Sequence, residues 1–256
     1  STLYSYTVSA YDAAGNNSAQ SLAAPATTQS SGSAINGSYS TTFAGTENPI
    51  SEGGAWINGQ TTGLSWRNVR TTPGLAFGTQ PGTGAPPYDD SIGVLTGTWT
   101  ADQSAQGTVR IVNSSSSGQR EVEILLRANV SANSIRGYEI LCNLVPGAGY
   151  GIQIVRWNGP LNNFTYLNNT AALNCVNGDI LKATVSGNPA VINVYRNNLT
   201  TPILTTTDTN PNPYTSGNPG MGFWKQSATA SDFGFSAYSA INGAGGGGGD
   251  TTAPSV

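Results

Sequence analysis

The sequence contains no histidine. That absence removes the commonest general base, the commonest metal ligand and any Ser–His or Cys–His catalytic pair. Charge is scarce as well: ten Lys and Arg, thirteen Asp and Glu, 9% of the chain and a net charge of −3. With so few cations and no basic stripe, no footprint for a nucleic-acid phosphate backbone is expected. No stretch of 18 apolar residues occurs, so no helical membrane span and no membrane insertion is expected. There are only two cysteines, Cys142 and Cys175. No signal-peptide pattern opens the chain, and its first residues read as mid-domain sequence, which places the expected start of the gene product upstream.

What fills the space is polar and turn-forming. The chain has 33 glycines, together with abundant Ser, Thr and Asn. Gly and Asn tolerate positive φ, and Ser and Thr satisfy nearby backbone groups, so this mixture suits short strands joined by tight turns. Apolar residues reach 37%, enough for a sandwich whose strands each bury one face. Ten candidate strands stand out: 64–69, 92–98, 107–112, 120–128, 135–144, 150–157, 180–186, 191–196, 220–226 and 232–239. Turn runs separate them, among them Asn158-Gly159-Pro160, Asn177-Gly178-Asp179 and Gly187-Asn188-Pro189. No stretch keeps a helical period. The expected fold is therefore all-β, a two-sheet antiparallel jelly-roll sandwich.

Composition divides the chain into four parts. In residues 1–22, Tyr4, Tyr6, Val8 and Ala10 alternate with polar residues as in a strand, and a Gly-Asn turn and a second short strand follow. Residues 23–34 read as a linker. Residues 35–243 form the body, and 244–256 are a Gly-rich linker with a further start. The run YSYTVSAYDAAGNNS at 4–18 resembles the last two strands of a fibronectin type III domain, and DTTAPSV at 250–256 resembles the opening of the next. An isolated hairpin is marginal in water. The first segment is thus expected to pair with upstream sequence, to pack on the body, or to be completed by strand addition from another copy's 250–256, which would give head-to-tail self-assembly.

The body carries a second resemblance. Tyr138-Glu139-Ile140, IVRWNGPLNNFT from Ile154, NGDILKATV from Asn177, NPGMGF from Asn218 and DFGF from Asp232 are similar to the concanavalin A-like lectin/glucanase superfamily. More narrowly they resemble laminin-G-like modules of large extracellular proteins. The resemblance implies a jelly roll over about 40–243 and leaves function open among lectins, hydrolases and structural modules.

In the strand 120–128, Glu121, Glu123 and Arg127 are expected on one face, Val122, Ile124 and Leu126 on the other. A carboxylate pair on a sheet face is what a glycosidase requires. Retaining glucanases of the resembled superfamily share a Glu-x-Asp-x-x-Glu strand; here the pattern is Glu-x-Glu, with Leu126 in the last acid's place, so catalysis is not expected. Arg127 is expected to neutralise the two acids. Tyr138, Arg156 and Trp224 are candidates for the same polar face, where a sugar ring could stack on an aromatic. The resemblance also allows a calcium site, with Asp89, Asp90 and Asp232 as candidates and Asp179 and Asp208 beside them, although none sits in a dense loop motif. Asp179 reads more simply as a turn residue. Cys142 and Cys175 lie in strand-like sequence and are expected to form a disulfide, two buried thiols being the alternative.

The functional expectation is a secreted or cell-surface, non-catalytic carbohydrate-binding module of a larger protein. The alternative is a structural bead in a filament, adhesin or virion-surface assembly, with neighbouring protein subunits as partners.

Overall fold

The computed structural model describes residues 3–27, 35–82, 89–115, 118–147 and 149–243. The expected donor segment 250–256 lies outside them. No α-helix occurs among the described residues; two three-residue 3-10 turns, Gln60–Thr62 and Ala230–Asp232, interrupt seventeen strands. All-β architecture is thus as the turn-rich composition demands.

The strands are numbered in chain order. β1 (Leu3–Tyr6) and β2 (Ala24–Thr27) make a two-stranded antiparallel sheet of their own. Between them the chain doubles back: Ala10 and Val8 accept from the backbone N–H groups of Ser18 and Ser21, whose hydroxyls accept in return. Residues 24–27, expected in a linker, are therefore a strand. Tyr6, Val8, Tyr11 and Leu22 remain exposed on this segment.

The body consists of two sheets. The first runs β12 (Phe164–Thr170), β11 (Ile152–Pro160), β10 (Ser134–Asn143), β9 (Gln119–Ser131), β16 (Asn218–Gln226), β7 (Ser91–Leu95), with β4 (Trp56–Asn58) on β7. The second runs β6 (Leu75–Gly78), β17 (Phe233–Asn242), β8 (Gln103–Ile111), β13 (Ile180–Ser186), β14 (Val191–Arg196), β15 (Leu204–Thr207), with β3 (Ser38–Thr41) on β17. β5 (Arg67–Thr72) joins them, antiparallel to β6 and parallel to β7. At the opposite side the terminal strands β12 and β15 meet, Asn168 Nδ2 donating to the Thr205 carbonyl at 2.8 Å.

The alternation of apolar residues decides which faces meet. Val122, Ile124 and Leu126 of β9, Ile140 and Cys142 of β10, and Met221 and Phe223 of β16 pack in one cluster with Leu181, Ala183 and Val185 of β13 and Phe233 and Phe235 of β17. That cluster is the core between the sheets. At about 25 cal/mol per Å² of apolar surface, it is the main source of stability. Cys142, at the end of β10, is disulfide-bonded to Cys175 in the loop leading to β13, and no free cysteine remains. The bond ties one sheet to the approach of the other.

Candidate functional site

The outer face of the first sheet carries the opposite set of side chains. Pairing registers place Trp224, Glu121 and Asn143 in one row across β16, β9 and β10. The next row is Ile92, Gly222, Glu123, Leu141 and Gln153. The next is Val94, Gly220, Leu125, Glu139, Val155 and Tyr166. Beyond it, Trp157 stands opposite Phe164. Period-2 alternation thus sends acids and aromatics to one surface and the aliphatic core residues to the other.

Between these rows lies a cleft of about 240 Å³ lined by Asp90, Glu121, Glu139, Tyr150, Trp157 and Trp224, with Gln153, Phe164 and Tyr166 along one side. The aromatics form a connected wall. Trp66 and Trp157 meet edge to face at 4.6 Å between centroids, Trp157 and Phe164 at 5.1 Å, Phe164 and Tyr166 at 5.2 Å. Trp66 and Trp157 are buried, Phe164 and Trp224 are half-buried, and Tyr166 is 53% exposed, so the wall rises from the sheet to solvent.

The acids are held by aromatic donors. Tyr150 donates its hydroxyl to Glu121 Oε1 at 2.8 Å, and Trp157 donates Nε1–H to Glu139 Oε2 at 2.7 Å. Burial pushes the Glu121 carboxyl up to about 8, opposed by the Tyr150 hydrogen bond and assisted by the nearby Glu139. Burial likewise raises Glu139 to about 7 against the Trp157 hydrogen bond. Asp90 and Glu123 are raised as well, first by burial and then by their carboxyl neighbours. A carboxyl held near neutrality donates a hydrogen bond in its acid form and accepts one in its base form.

The sequence candidates separate. Glu121, Glu123 and Trp224 share the outer face as expected. Arg127 does not join them. It takes a left-handed backbone (φ 49°), and the ladders to β10 and β16 both slip at this point, so alternation breaks after Leu126. The Arg127 guanidinium is buried at the far end of the strand, donating Nε–H to the Ala101 carbonyl at 2.6 Å, and to the carbonyls of Tyr214 and Gly187, beside Asp102. It does not neutralise the acids. Tyr138 and Arg156 also turn inward. Both bond Asp208 Oδ2, at 2.7 Å and 2.9 Å, and Arg156 stacks over the Tyr214 ring. Their partner ordering follows from register: Tyr138 opposes the core residue Leu126, and Arg156 opposes Tyr138.

Of the calcium candidates, only Asp90 reaches the cleft. Asp89 is buried beside Arg67 and Lys225. Asp232 ends the 3-10 turn just before β17, where Asn113 Nδ2 donates to its carboxylate at 3.4 Å. Asp179 accepts from the Val176 backbone and pairs with Arg196, as a turn residue does. Asp208 is consumed by Tyr138 and Arg156. The residues the sequence did not single out are Glu139, Gln153, Phe164 and Tyr166. Glu139 carried a signal, because it lies on a strand at the same alternation as Leu141, opposite a face of acids.

No family model matches the chain, and no curated protein matches it. Among solved structures, it is similar to the carbohydrate-binding module CBM66 from Bacillus subtilis, 12% identical over 73% of this chain and 92% of that one, TM-score 0.46. It is similar to the metal-free carbohydrate recognition domain of Emp46p, 13% identical over 74% and 88%, TM-score 0.44. It is also similar to a native glycosidic hydrolase, 12% identical over 84% and 100%, TM-score 0.44. The chemistry of the cleft is accordingly read from its own residues.

Proposed function

We propose that this chain is an extracellular carbohydrate-binding module whose cleft takes one ring, or one chain end, of a glycan. The observation that carries the reading is the meeting of an aromatic wall with buried hydrogen-bonding acids in one concave site. Sugar C–H edges pack on aromatic faces, and sugar hydroxyls need donors and acceptors fixed in direction. Tyr166 and Trp224 supply exposed ring surface on opposite sides, and Glu121, Glu139 and Gln153 supply the polar groups between them. The volume falls below the ~300–1,000 Å³ of sites that enclose drug-sized ligands, which suits a single ring rather than a long oligomer. The disulfide supports an oxidising, extracellular setting.

The test is a glycan array on residues 35–243, followed by titration of the best ligand into Tyr166→Ala and Trp224→Ala. Each substitution is expected to weaken binding at least tenfold, about 1.4 kcal/mol. Unchanged affinity in both would overturn the assignment.

One observation favours a second reading, glycan hydrolysis: Glu121 and Glu139 both face the cleft with carboxyls raised toward neutrality, as a general acid requires. Glu139 on the neighbouring strand would stand in for the acid that Leu126 replaces. Reducing-end release from the bound glycan, abolished in Glu139→Gln, would move the assignment to hydrolase.

A further inference from the structure

Beneath the cleft, three carboxyl groups converge from three places in the first sheet. Asp90 immediately precedes β7, Glu123 lies on β9 and Glu139 on β10. They are 5%, 1% and 4% exposed. One carboxylate oxygen of each lies within 4.8 Å of those of the other two. Three acids gathered out of water repel one another and demand a compensating positive charge. No side chain provides it. The three salt bridges among the described residues use Asp102, Asp208 and Asp179, and all ten Lys and Arg belong to the described residues. Arg67 and Lys225 act on Asp89 instead.

A separate observation concerns Glu123. Its Oε2 is buried and has no hydrogen-bond partner. A carboxylate oxygen left this way costs its full desolvation unless something else satisfies it. The space around it is kept open by Gly222, the cross-strand neighbour, because a Cβ there would run into Glu123 Oε2. The Glu139 carboxylate is oriented by Trp157 Nε1–H, which donates to its Oε2.

The geometry points to a binding site for a single hard divalent cation, held by Asp90, Glu123 and Glu139 under the floor of the cleft. Oxygen ligands stand ~2.3–2.6 Å from an ion such as calcium, so two ligands of one ion lie at most roughly 5 Å apart, and oxygens all within 4.8 Å of one another meet that limit. Carboxylate oxygens are the hard donors such an ion prefers, and the remaining positions fall to water entering between Asp90 and Glu139, both of which line the cleft. The site stands whether or not the cleft binds a glycan.

The test uses the whole chain, treated with chelator and titrated with terbium, whose luminescence is sensitised by a nearby indole such as that of Trp157. Saturation at one equivalent and displacement by calcium are expected. Glu123→Gln and Glu139→Gln should weaken terbium binding at least tenfold, while Asp232→Asn leaves it unchanged. Asp90→Asn, at the mouth of the cage, serves as a second probe should a more deeply placed substitution impair folding, which near-UV circular dichroism monitors. No saturable signal in the wild type, or a signal indifferent to all three cage substitutions, overturns the site and leaves shared protons as the charge balance. Glycan titration with chelator present separates the two claims: binding there without the ion sustains the module reading alone.

Discussion

A carboxylate that folds into a dry cleft ties stability to pH with a definite sign. Glu139 and Glu121 stand at about 7 and about 8 in the folded chain against an ordinary 4.5. The folded state therefore binds more protons than the unfolded one across that interval, and stability falls as pH rises. In chelator, the stabilisation should be complete below about pH 4.5 and lost as pH climbs through 7 and then 8. Urea midpoints at pH 5, 7 and 9 measure it. Glu121→Gln should flatten the upper part of the decline, and a midpoint that rises with pH over this range would refute the burial argument. The same residues mark what single positions reveal in a sequence. Glu121 and Glu123 were legible because alternation along one strand needs no knowledge of neighbours. Glu139 offered only its alternation with Leu141 and Tyr166 offered nothing, because their place in the cleft depends on how β9, β10, β11 and β12 align, and register is a property of pairs.

At the scale of elements, β9 shows where strand logic stops. Alternation correctly assigns Val122, Ile124 and Leu126 to the core, then fails one residue later. The irregularity is shared: Gly137, at φ +137°, brings its backbone against Ala128, and a Cβ there would come within 2.8 Å of the Arg127 carbonyl. Nothing in the local sequence announces a left-handed arginine, a conformation non-glycine residues rarely take. The consequence is an arginine that anchors three carbonyls instead of balancing the cleft. Arg127→Met is expected to destabilise by about 1–3 kcal/mol, since it removes the donors that a buried guanidinium gives to the carbonyls of Ala101, Tyr214 and Gly187, and to leave glycan affinity unchanged. Chemical denaturation and titration of the same variant check both halves; a loss of affinity at unchanged stability would return Arg127 to the site. The ten strands expected from periodicity all occur. The shorter β3, β4, β6 and β15 were missed because three or four residues are too few to establish a period, and β12 because FTYLNNT does not alternate cleanly.

For the molecule as a whole, sandwich architecture followed from composition, whereas the division of its two faces into core and cleft required the assembled sheets. The disulfide closes a segment with a sequence separation of 33. On the chain-entropy account its removal should cost roughly 3–4 kcal/mol, read as a lowered denaturation midpoint in the Cys142→Ser, Cys175→Ser double variant. An unchanged midpoint would mean that packing alone holds β10 to the approach of β13. The enclosed segment contains β11 and β12, and with them Trp157, Phe164 and Tyr166. Pulled by its ends, the chain can pay out every residue except these: about 110–120 Å of contour, at ~3.3–3.6 Å per residue, stays locked behind the sulfur bridge until a reductant cuts it. A tether bearing load would thus lengthen in two stages, and Trp157, Phe164 and Tyr166 would belong to the portion that yields last.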